Sequence, residues 1–188
     1  MDLAARSKYH HGNLKPALIG AARELLSLDG PDAVSLREAA RRVGVSATAT
    51  YRHFADKDHL LAVVAAEGYR DFTDRLRRAY EGQDGFSGMG MAYVEFAQEY
   101  PGMFRLMFGP LRRDLKRYPE LAEAADEAFA VLLDGARRFV GARDEDVEAV
   151  AYAAWSFSHG LARLVLDGVI PQERARNVCD AFLFGRPG

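Results

Sequence analysis

The chain has 188 residues, of which 49% are hydrophobic and 28% charged, and its formal net charge is −2. This apolar content excludes an intrinsically disordered protein and predicts a globular one, with room for one large or two small domains. The single cysteine excludes an internal disulfide, and no apolar run is long enough to cross a bilayer. We therefore expect a cytoplasmic protein without a membrane partner.

Charge is distributed unevenly along the chain. Residues 1–55 contain eight Lys and Arg against five Asp and Glu, a net charge of +3, which leaves −5 for residues 56–188. A basic amino-terminal part on an acidic body is typical of a DNA-binding module with a separate regulatory part, although chance variation over a short segment would also produce it. Residues 1–12 are expected to form an arm that either lies along a DNA groove or is a disordered leader. The adjacent His10 and His11 lack further ligands, so no metal site is predicted there.

The first helix is expected from about Leu14 to Leu28, with Asn13 as its cap. Its apolar side chains recur at steps of three and four residues, which predicts a single buried stripe. The members of this stripe are Leu14, Leu18, Ala21, Leu25 and Leu28. The sequence Asp29-Gly30-Pro31 should end the helix.

A helix-turn-helix is predicted between Ser35 and Phe54. Ser35 and Glu38 have the spacing of a capping box, in which the hydroxyl accepts from a backbone N–H and the carboxylate reaches back. Gly44 suits the left-handed end of the first helix, and Ser46 is the expected cap of a second helix running through Phe54. Near the amino-terminal end of that second helix, the side chains expected at base edges are Ala47, Thr48 and Ala49. One turn later, the side chains able to reach phosphates are Tyr51, Arg52 and His53.

A long helix is expected next, capped by Asp56 and apolar on one face from His59 to Tyr80. Such a helix is long enough to connect two domains rigidly. Lys57 lies in its first turn, where a cation opposes the helix dipole. A bound phosphate would make this position favourable, whereas an ordinary solvated lysine is the alternative.

Residues 13–65 resemble the DNA-binding domain of tetracycline-repressor-like (TetR-family) regulators. The matching segments are Ala21-Ala22, Leu25-Leu26, Gly30, Val34–Ala40, Gly44-Val45-Ser46, Tyr51–Phe54, Lys57 and Leu60-Leu61. The resemblance implies phosphate contacts by Ser35, Tyr51, His53 and Lys57, and base contacts by Arg37, Ala47, Thr48 and Ala49. Together with the residue-level reasoning, the predicted DNA-binding set is Ser35, Arg37, Ser46, Ala47, Thr48, Ala49, Tyr51, Arg52, His53 and Lys57. Thr50 stands where the family often has an apolar residue, so its hydroxyl is expected to bond back to a backbone carbonyl.

The remaining sequence predicts further helices. The Gly-rich residues 82–90 are interpreted as a flexible link, followed by helices over about Met91–Tyr100 and Pro101–Phe108. The dense aromatic and methionine residues in this region are either plain core or the lining of an apolar ligand pocket. The candidate ligand-binding residues are Phe96, Tyr100, Phe104, Met107, Phe108, Phe129, Trp155 and His159.

Three more helices are expected, over Pro119–Val140, about 144–167 and about Gln172–Phe184. The second of them is apolar on most sides, so a partner subunit is the natural second cover, and we predict a homodimer through the last two helices. Trp155, His159 and Gly160 make residues 85–184 resemble the regulatory domain named for a Trp-His-Gly signature. His159 follows a more polar track of its helix, which favours a hydrogen-bonded core or interface histidine over a ligand contact.

The predicted fold is therefore all-α: an arm and helix-turn-helix domain (1–57), a connecting helix (58–82) and a helical-bundle domain for ligand binding and dimerisation (83–188). We expect a transcriptional repressor that leaves a near-palindromic double-stranded DNA operator when it binds a small, largely apolar effector of unknown identity. The alternative is an architectural or activator protein that binds DNA without a ligand. An enzyme is not expected, since Cys179 lies on an apolar face and the histidines lack ligand spacing. No cofactor, metal or catalytic residue is predicted.

Overall fold

The computed structural model describes residues 14–143 and 146–183, and the prediction of an all-α fold is confirmed. Nine α-helices follow one another: α1 Leu14–Asp29, α2 Leu36–Val43, α3 Ala47–Thr50, α4 Lys57–Glu81, α5 Gly85–Glu99, α6 Pro101–Met107, α7 Pro119–Val140, α8 Val147–Leu166 and α9 Ala175–Leu183 within those ranges. Short 3₁₀ segments lie at Pro31–Ala33, Pro110–Arg117 and Gln172–Arg174. None of the described helices is both long and apolar enough to span a membrane. The predicted arm, the Asn13 cap, Asp144, Glu145 and Phe184 fall outside the described residues.

Helix α1 buries a face that runs through Leu18, Ala22 and Leu26 against α2 and α4. The prediction that Leu28 belongs to this stripe is wrong, because its side chain is 69% exposed. Leu28 lies only two residues beyond Leu26, so it projects from roughly the opposite side of the helix.

The helix-turn-helix forms at the predicted place. The Ser35 hydroxyl accepts from the Glu38 N–H at 3.1 Å, and Gly44 ends α2 in the left-handed conformation at φ 77°. The second half of the capping box is wrong, because the Glu38 carboxylate turns to Arg41 and accepts two hydrogen bonds at 2.6 and 2.9 Å. An arginine one turn away offers a charged donor, which outcompetes a neutral backbone N–H.

Helix α3 is shorter than predicted, since it ends at Thr50 rather than Phe54. The Thr50 hydroxyl donates to the Ala47 carbonyl at 2.7 Å, as expected, and its side chain is fully buried. This bond competes with continuation of the helix, so residues 51–53 form a turn that buries Phe54. Ser46 precedes α3 but its side chain makes no capping hydrogen bond, so that prediction is also wrong.

Helix α4 is the centre of the molecule. Its 25 residues span about 37 Å, from the helix-turn-helix to the far end of the carboxy-terminal bundle. Asp56 caps it by accepting from the His59 N–H at 2.7 Å. Helices α5 and α7 pack along its length, and α8 covers α5 from the other side.

The interpretation of residues 82–90 as a flexible link is wrong, because α5 begins at Gly85. The glycines there allow close packing rather than flexibility. A Cβ at Gly88 would lie 2.9 Å from the Ala79 carbonyl oxygen at the end of α4. On the facing helix α7, a Cβ at Gly135 would lie 2.8 Å from the Met89 sulfur of α5. The atom that Gly88 approaches belongs to the backbone of α4, so a larger residue at this position would push the two helices apart.

A single apolar core joins the amino-terminal helices to the rest. Helix α6 lies directly against the end of α1, where a Cβ at Gly102 would overlap the Leu26 carbonyl oxygen. Buried side chains on α1, α4, α5, α6, α7 and α8 form one continuous cluster. The amino-terminal helices are thus packed on the bundle through α4 and α6.

Candidate nucleic-acid interface and ligand pocket

The helix-turn-helix presents a polar surface around α3. Thr48, Arg52 and Ser46 are exposed, and the Tyr51 ring is 59% exposed. Because the Tyr51 ring already lies outside the core, its hydroxyl can reach a phosphate without any change in core packing. The half-buried members of the predicted DNA-binding set are Ser35, Ala47, Ala49, His53 and Lys57, and Arg37 is exposed.

Salt bridges separate the arginines of this surface into two groups. Arg41 and Arg42 are paired with acids, Arg41 with Glu38 at 2.6 Å and Arg42 with Glu24 at 3.2 Å. The hydrogen bonds from Arg41 hold the pKa of Glu38 below its usual value. Arg37 and Arg52 have no carboxylate within 4 Å among the residues described, so their guanidinium groups are free to meet an external anion.

Lys57 lies in the first turn of α4 as predicted, and one of the three N–H groups of its ammonium is engaged within the described chain. Its Nζ donates to the Asp32 carbonyl oxygen at 3.2 Å, which ties the 3₁₀ segment Pro31–Ala33 to the start of α4. The adjacent cap is also engaged, since Arg117 Nη2 donates to Asp56 Oδ2 at 2.8 Å. The Pro110–Arg117 segment therefore contacts the junction between the helix-turn-helix and the bundle.

An apolar pocket lies inside the bundle between α4, α5, α7, α8 and the Pro110–Arg117 segment. Its empty volume is about 580 Å³ including its mouth, which is open to solvent. Most of it is a thin slot, because only about 40 Å³ is wide enough for the centre of a water molecule. A molecule larger than this space fits only if the walls move apart, and those walls include α4, which begins beside the predicted DNA-binding residues.

Three of the eight predicted ligand residues line this pocket: Phe108, Phe129 and Trp155. The others lie elsewhere. Phe104 and Met107 are fully buried core residues, and Phe96 and Tyr100 border a separate surface depression beside α1. His159 stacks on Phe104 with the ring centres 5.3 Å apart.

Sequence reasoning missed several lining residues, among them Tyr69, Phe72, Met89, Tyr93 and Arg112. Periodicity places Phe72 on the core face of α4, and that same face lines the slot. Met89 falls in the Gly-rich sequence that indicates a link by composition. Arg112 follows the Gly109-Pro110 break, where periodicity gives no orientation, so no sequence signal placed it in an apolar pocket.

The Trp and His of the carboxy-terminal signature meet at Tyr93. Trp155 Nε1 donates to the Tyr93 hydroxyl at 3.3 Å, and that hydroxyl lies 2.8 Å from His159 Nδ1. The hydroxyl accepts from the indole, and it either donates to Nδ1 or accepts from it according to the imidazole tautomer. Burial lowers the pKa of His159, with Arg163 and Arg112 adding to the effect, and this favours the neutral ring. The interpretation of His159 as a hydrogen-bonded core histidine therefore fits its surroundings.

Arg112 is the charged side chain among those lining the pocket. Its Nη1 donates to the Tyr69 hydroxyl at 2.9 Å, and its guanidinium carbon lies 5.0 Å from the centre of the Trp155 ring. The described residues contain no group of three His, Cys, Asp or Glu side chains that could hold a metal ion.

Two family models match the chain. Residues 18–64 match the model of bacterial regulatory proteins of the tetR family, and residues 86–183 match that of the tetracyclin repressor-like C-terminal domain. The first match contains the helix-turn-helix and the second contains α5 to α9, with the pocket residues of α5, α7 and α8. A comparison with curated proteins finds no match.

Solved structures with the same fold include a Rhodococcus sp. RHA1 protein of unknown function. It is 29% identical, with 94% of each chain covered and a TM-score of 0.79. A tetR-family bacterial regulatory protein from Rhodococcus RHA1 is 22% identical over 80% of this chain and 83% of that one, with a TM-score of 0.61. The transcriptional regulator FadR from Bacillus subtilis, in complex with stearoyl-CoA, is 14% identical over 91% and 98% of the two chains, with a TM-score of 0.69. The chain belongs to the tetR family of bacterial regulatory proteins, and its fold is that of DNA-binding transcriptional regulators.

Proposed function

We propose that this protein is a homodimeric repressor that binds a near-palindromic operator and releases it when a small, largely apolar molecule enters the bundle. The observation that supports this most directly is the pocket. Its wall includes Tyr69, Phe72 and Leu76 of α4, the helix whose first residue follows the helix-turn-helix. A molecule that widens this slot displaces the helix on which the DNA-binding surface is mounted.

The DNA contacts are proposed on the surface around α3. Thr48 is exposed near its amino-terminal end, where side chains of a recognition helix reach base edges. Arg37 and Arg52 have unpaired guanidinium groups within the described chain, and Tyr51 projects beside them. We assign base reading to Arg37, Ala47, Thr48 and Ala49. We assign phosphate contacts to Ser35, Ser46, Tyr51, Arg52, His53 and Lys57.

Dimerisation is proposed through α8 and α9. In the isolated chain α8 leaves Tyr152 47% and Leu164 42% exposed, on a face that also contains Ala153 and Gly160. A Cβ at Gly160 would meet open space, so nothing within the chain requires glycine there. Small and apolar residues on an exposed helix suit close contact with the same surface of a second copy. Such a dimer would place two recognition helices in successive major grooves, about 34–36 Å apart.

Ligand control follows if the effector binds the two conformations with different affinity. A molecule that fits only a widened slot prefers the conformation in which α4 is displaced, and it shifts the population by that preference. Bacillus subtilis FadR, which has a similar fold, is in complex with stearoyl-CoA. A fold of this kind is therefore compatible with binding of an apolar molecule.

The test is DNA binding of the purified protein to a duplex recovered by genomic footprinting and to a scrambled duplex of the same length. We expect the chosen duplex to bind at least about 10³-fold more tightly at physiological salt. Arg52→Gln should weaken binding to both duplexes alike and reduce the salt slope by about one, whereas Thr48→Ala should change the preferred sequence. Arg78→Gln is the matched control, since Arg78 is exposed at the far end of α4. Equal affinity for the two duplexes would exclude a sequence-specific repressor and leave the alternative of an architectural DNA-binding protein.

A further inference from the structure

We infer that the pocket binds an amphipathic carboxylate, with the acidic group on Arg112 and the apolar body between α4, α5 and α7. This inference rests on the proposed ligand control and names the chemical class of the effector. Its starting point is a cation in an apolar slot that lacks a counter-ion among the described residues of its own chain.

Arg112 is half-buried, and its position is defined by two aromatic residues. Nη1 donates to the Tyr69 hydroxyl at 2.9 Å, and the guanidinium lies over the Trp155 ring at 5.0 Å. The Tyr69 hydroxyl donates its one proton to the Met107 carbonyl oxygen at 3.0 Å. Towards Arg112 the hydroxyl therefore acts as the acceptor. The guanidinium is held in place by these contacts while most of its five N–H groups remain available.

The other half-buried arginines of the described chain are paired with carboxylates, whereas Arg112 is not. Arg23 is paired with Glu67 at 3.1 Å and Asp71 at 2.6 Å, and Arg75 with Glu99 at 2.5 Å. Among the described residues, no carboxylate lies within 4 Å of the Arg112 guanidinium. A cation that is partly removed from water without an anion is costly, and stacking on an indole ring offsets only part of that cost.

The remaining pocket wall defines what is attached to the acidic group. It is formed largely by apolar side chains such as Phe72, Leu76, Met89 and Leu132. The Tyr93 hydroxyl of this wall is already shared between Trp155 and His159. A single charge at Arg112 and an apolar slot match a ligand with one anionic end. The planar fork of a guanidinium fits the two oxygens of a carboxylate, and the slot, once its walls move apart, has the apolar lining that an alkyl chain or a flat ring needs.

The protein supplies its own reporter, because Trp155 is the single tryptophan of the chain and contacts Arg112. We would titrate the purified protein with decanoate and with decan-1-ol at neutral pH and follow Trp155 fluorescence. The two probes have the same chain and differ in the charged end. Decanoate should bind about tenfold or more tightly than decan-1-ol, since a hydrogen-bonded charge is worth that factor. Equal affinity of the wild type for the two probes would overturn the inference.

Two substitutions test whether Arg112 causes the preference for decanoate over decan-1-ol. Arg112→Met keeps an unbranched apolar side chain and should make the two affinities equal by weakening decanoate alone. Arg113→Gln removes the neighbouring, exposed arginine of the same segment and should leave the tenfold preference intact. A preference that survives in Arg112→Met, or disappears in Arg113→Gln, would show that the acidic group binds elsewhere.

Arg112→Lys is a second variant that tests the same contact if the methionine variant does not fold. Its ammonium keeps the charge but cannot form the two-pronged contact, so the preference should be smaller than in the wild type. A lysine variant with the full wild-type preference would contradict the carboxylate fork.

Operator binding distinguishes this inference from the proposed function. If decanoate binds through Arg112 but leaves the operator complex intact, the proposed regulation fails and the ligand class stands. Equal affinity for the two probes with intact operator recognition removes only the ligand class.

Discussion

Arg117 and Asp56 form an ion pair that joins the bundle to the start of α4, with Nη2 2.8 Å from Oδ2. The other oxygen of Asp56 caps α4 by accepting from the His59 N–H at 2.7 Å. Arg117 lies at the end of the same 3₁₀ segment that places Arg112 over Trp155 in the pocket. One short segment therefore contacts both the pocket and the first turn of the helix that follows the DNA-binding surface.

We expect Asp56→Ala to lower the free energy of unfolding by about 1 kcal/mol, because the first N–H groups of α4 lose their cap. Asp56→Asn is the control, since asparagine can cap α4 but cannot pair with Arg117. Both partners of that pair are about half exposed, so the asparagine variant should lose less than the alanine variant. Urea denaturation measures both differences. Equal losses in the two variants would show that the ion pair, and not the cap, stabilises this junction.

Gly102→Ala should destabilise the protein by about 1–3 kcal/mol, because its Cβ would overlap the Leu26 carbonyl oxygen. The neighbouring atom belongs to the backbone of α1, so the helices themselves must separate. Gly20→Ala is the matched control. It lies on the exposed side of α1, where an added methyl group would have no heavy atom within 4 Å, and should stabilise the helix by about 0.5–1 kcal/mol. Thermal unfolding followed by circular dichroism compares them, and a neutral Gly102→Ala would contradict the close contact of α6 with α1.

Leu164→Arg should convert the proposed dimer into a monomer, because it places a charge on the exposed α8 face. Leu28→Arg is the control, as Leu28 is an even more exposed leucine on α1, away from α8 and α9. Size-exclusion chromatography with light scattering at micromolar concentration gives the mass of each variant. A wild-type protein that runs as a monomer, or a Leu164→Arg variant that remains dimeric, would exclude the α8–α9 interface.

The stability of the protein should fall as the pH is lowered below about 6.5, because burial depresses the pKa of His159 from that usual value. Below 6.5 the unfolded chain binds a proton at this position that the folded chain does not, so protonation favours unfolding. One such group changes the free energy of unfolding by at most about 1.4 kcal/mol per pH unit. The carboxylates whose pKa is lowered, Glu38 and Glu99, contribute at lower pH, around and below their usual pKa of 4.5.

His159→Gln is the variant that checks this assignment. Glutamine keeps an oxygen that can accept from the Tyr93 hydroxyl but does not titrate, so the slope of stability against pH below 6.5 should flatten. Urea denaturation at several pH values gives the slope for both proteins. A glutamine variant that keeps the wild-type slope would place the titrating group elsewhere.

Local signals in the sequence were sufficient for the helix-turn-helix. The Ser35 cap, the left-handed Gly44 and the Asp56 cap act within a few residues of the chain, so each could be predicted from residue type and spacing. The same holds for the Thr50 hydroxyl, whose acceptor is three residues away. Local signals were misleading for glycine, because the same residue type occurs both in flexible links and at close contacts between helices. Glycines near 85–90 indicate a flexible link by composition, but Gly88 serves the close contact of α5 with α4.

The sequence by itself determined most of the helices, their order and the position of the helix-turn-helix, because caps and periodicity act over short distances. Only the tertiary structure decided which aromatic residues face the slot and which fill the core, since both sets have the same periodicity. It alone placed Arg112 against Tyr69 and Trp155, which are 43 residues before it and 43 after it in the chain. That contact depends on where a non-periodic segment crosses the bundle, and packing of the whole chain determines that crossing.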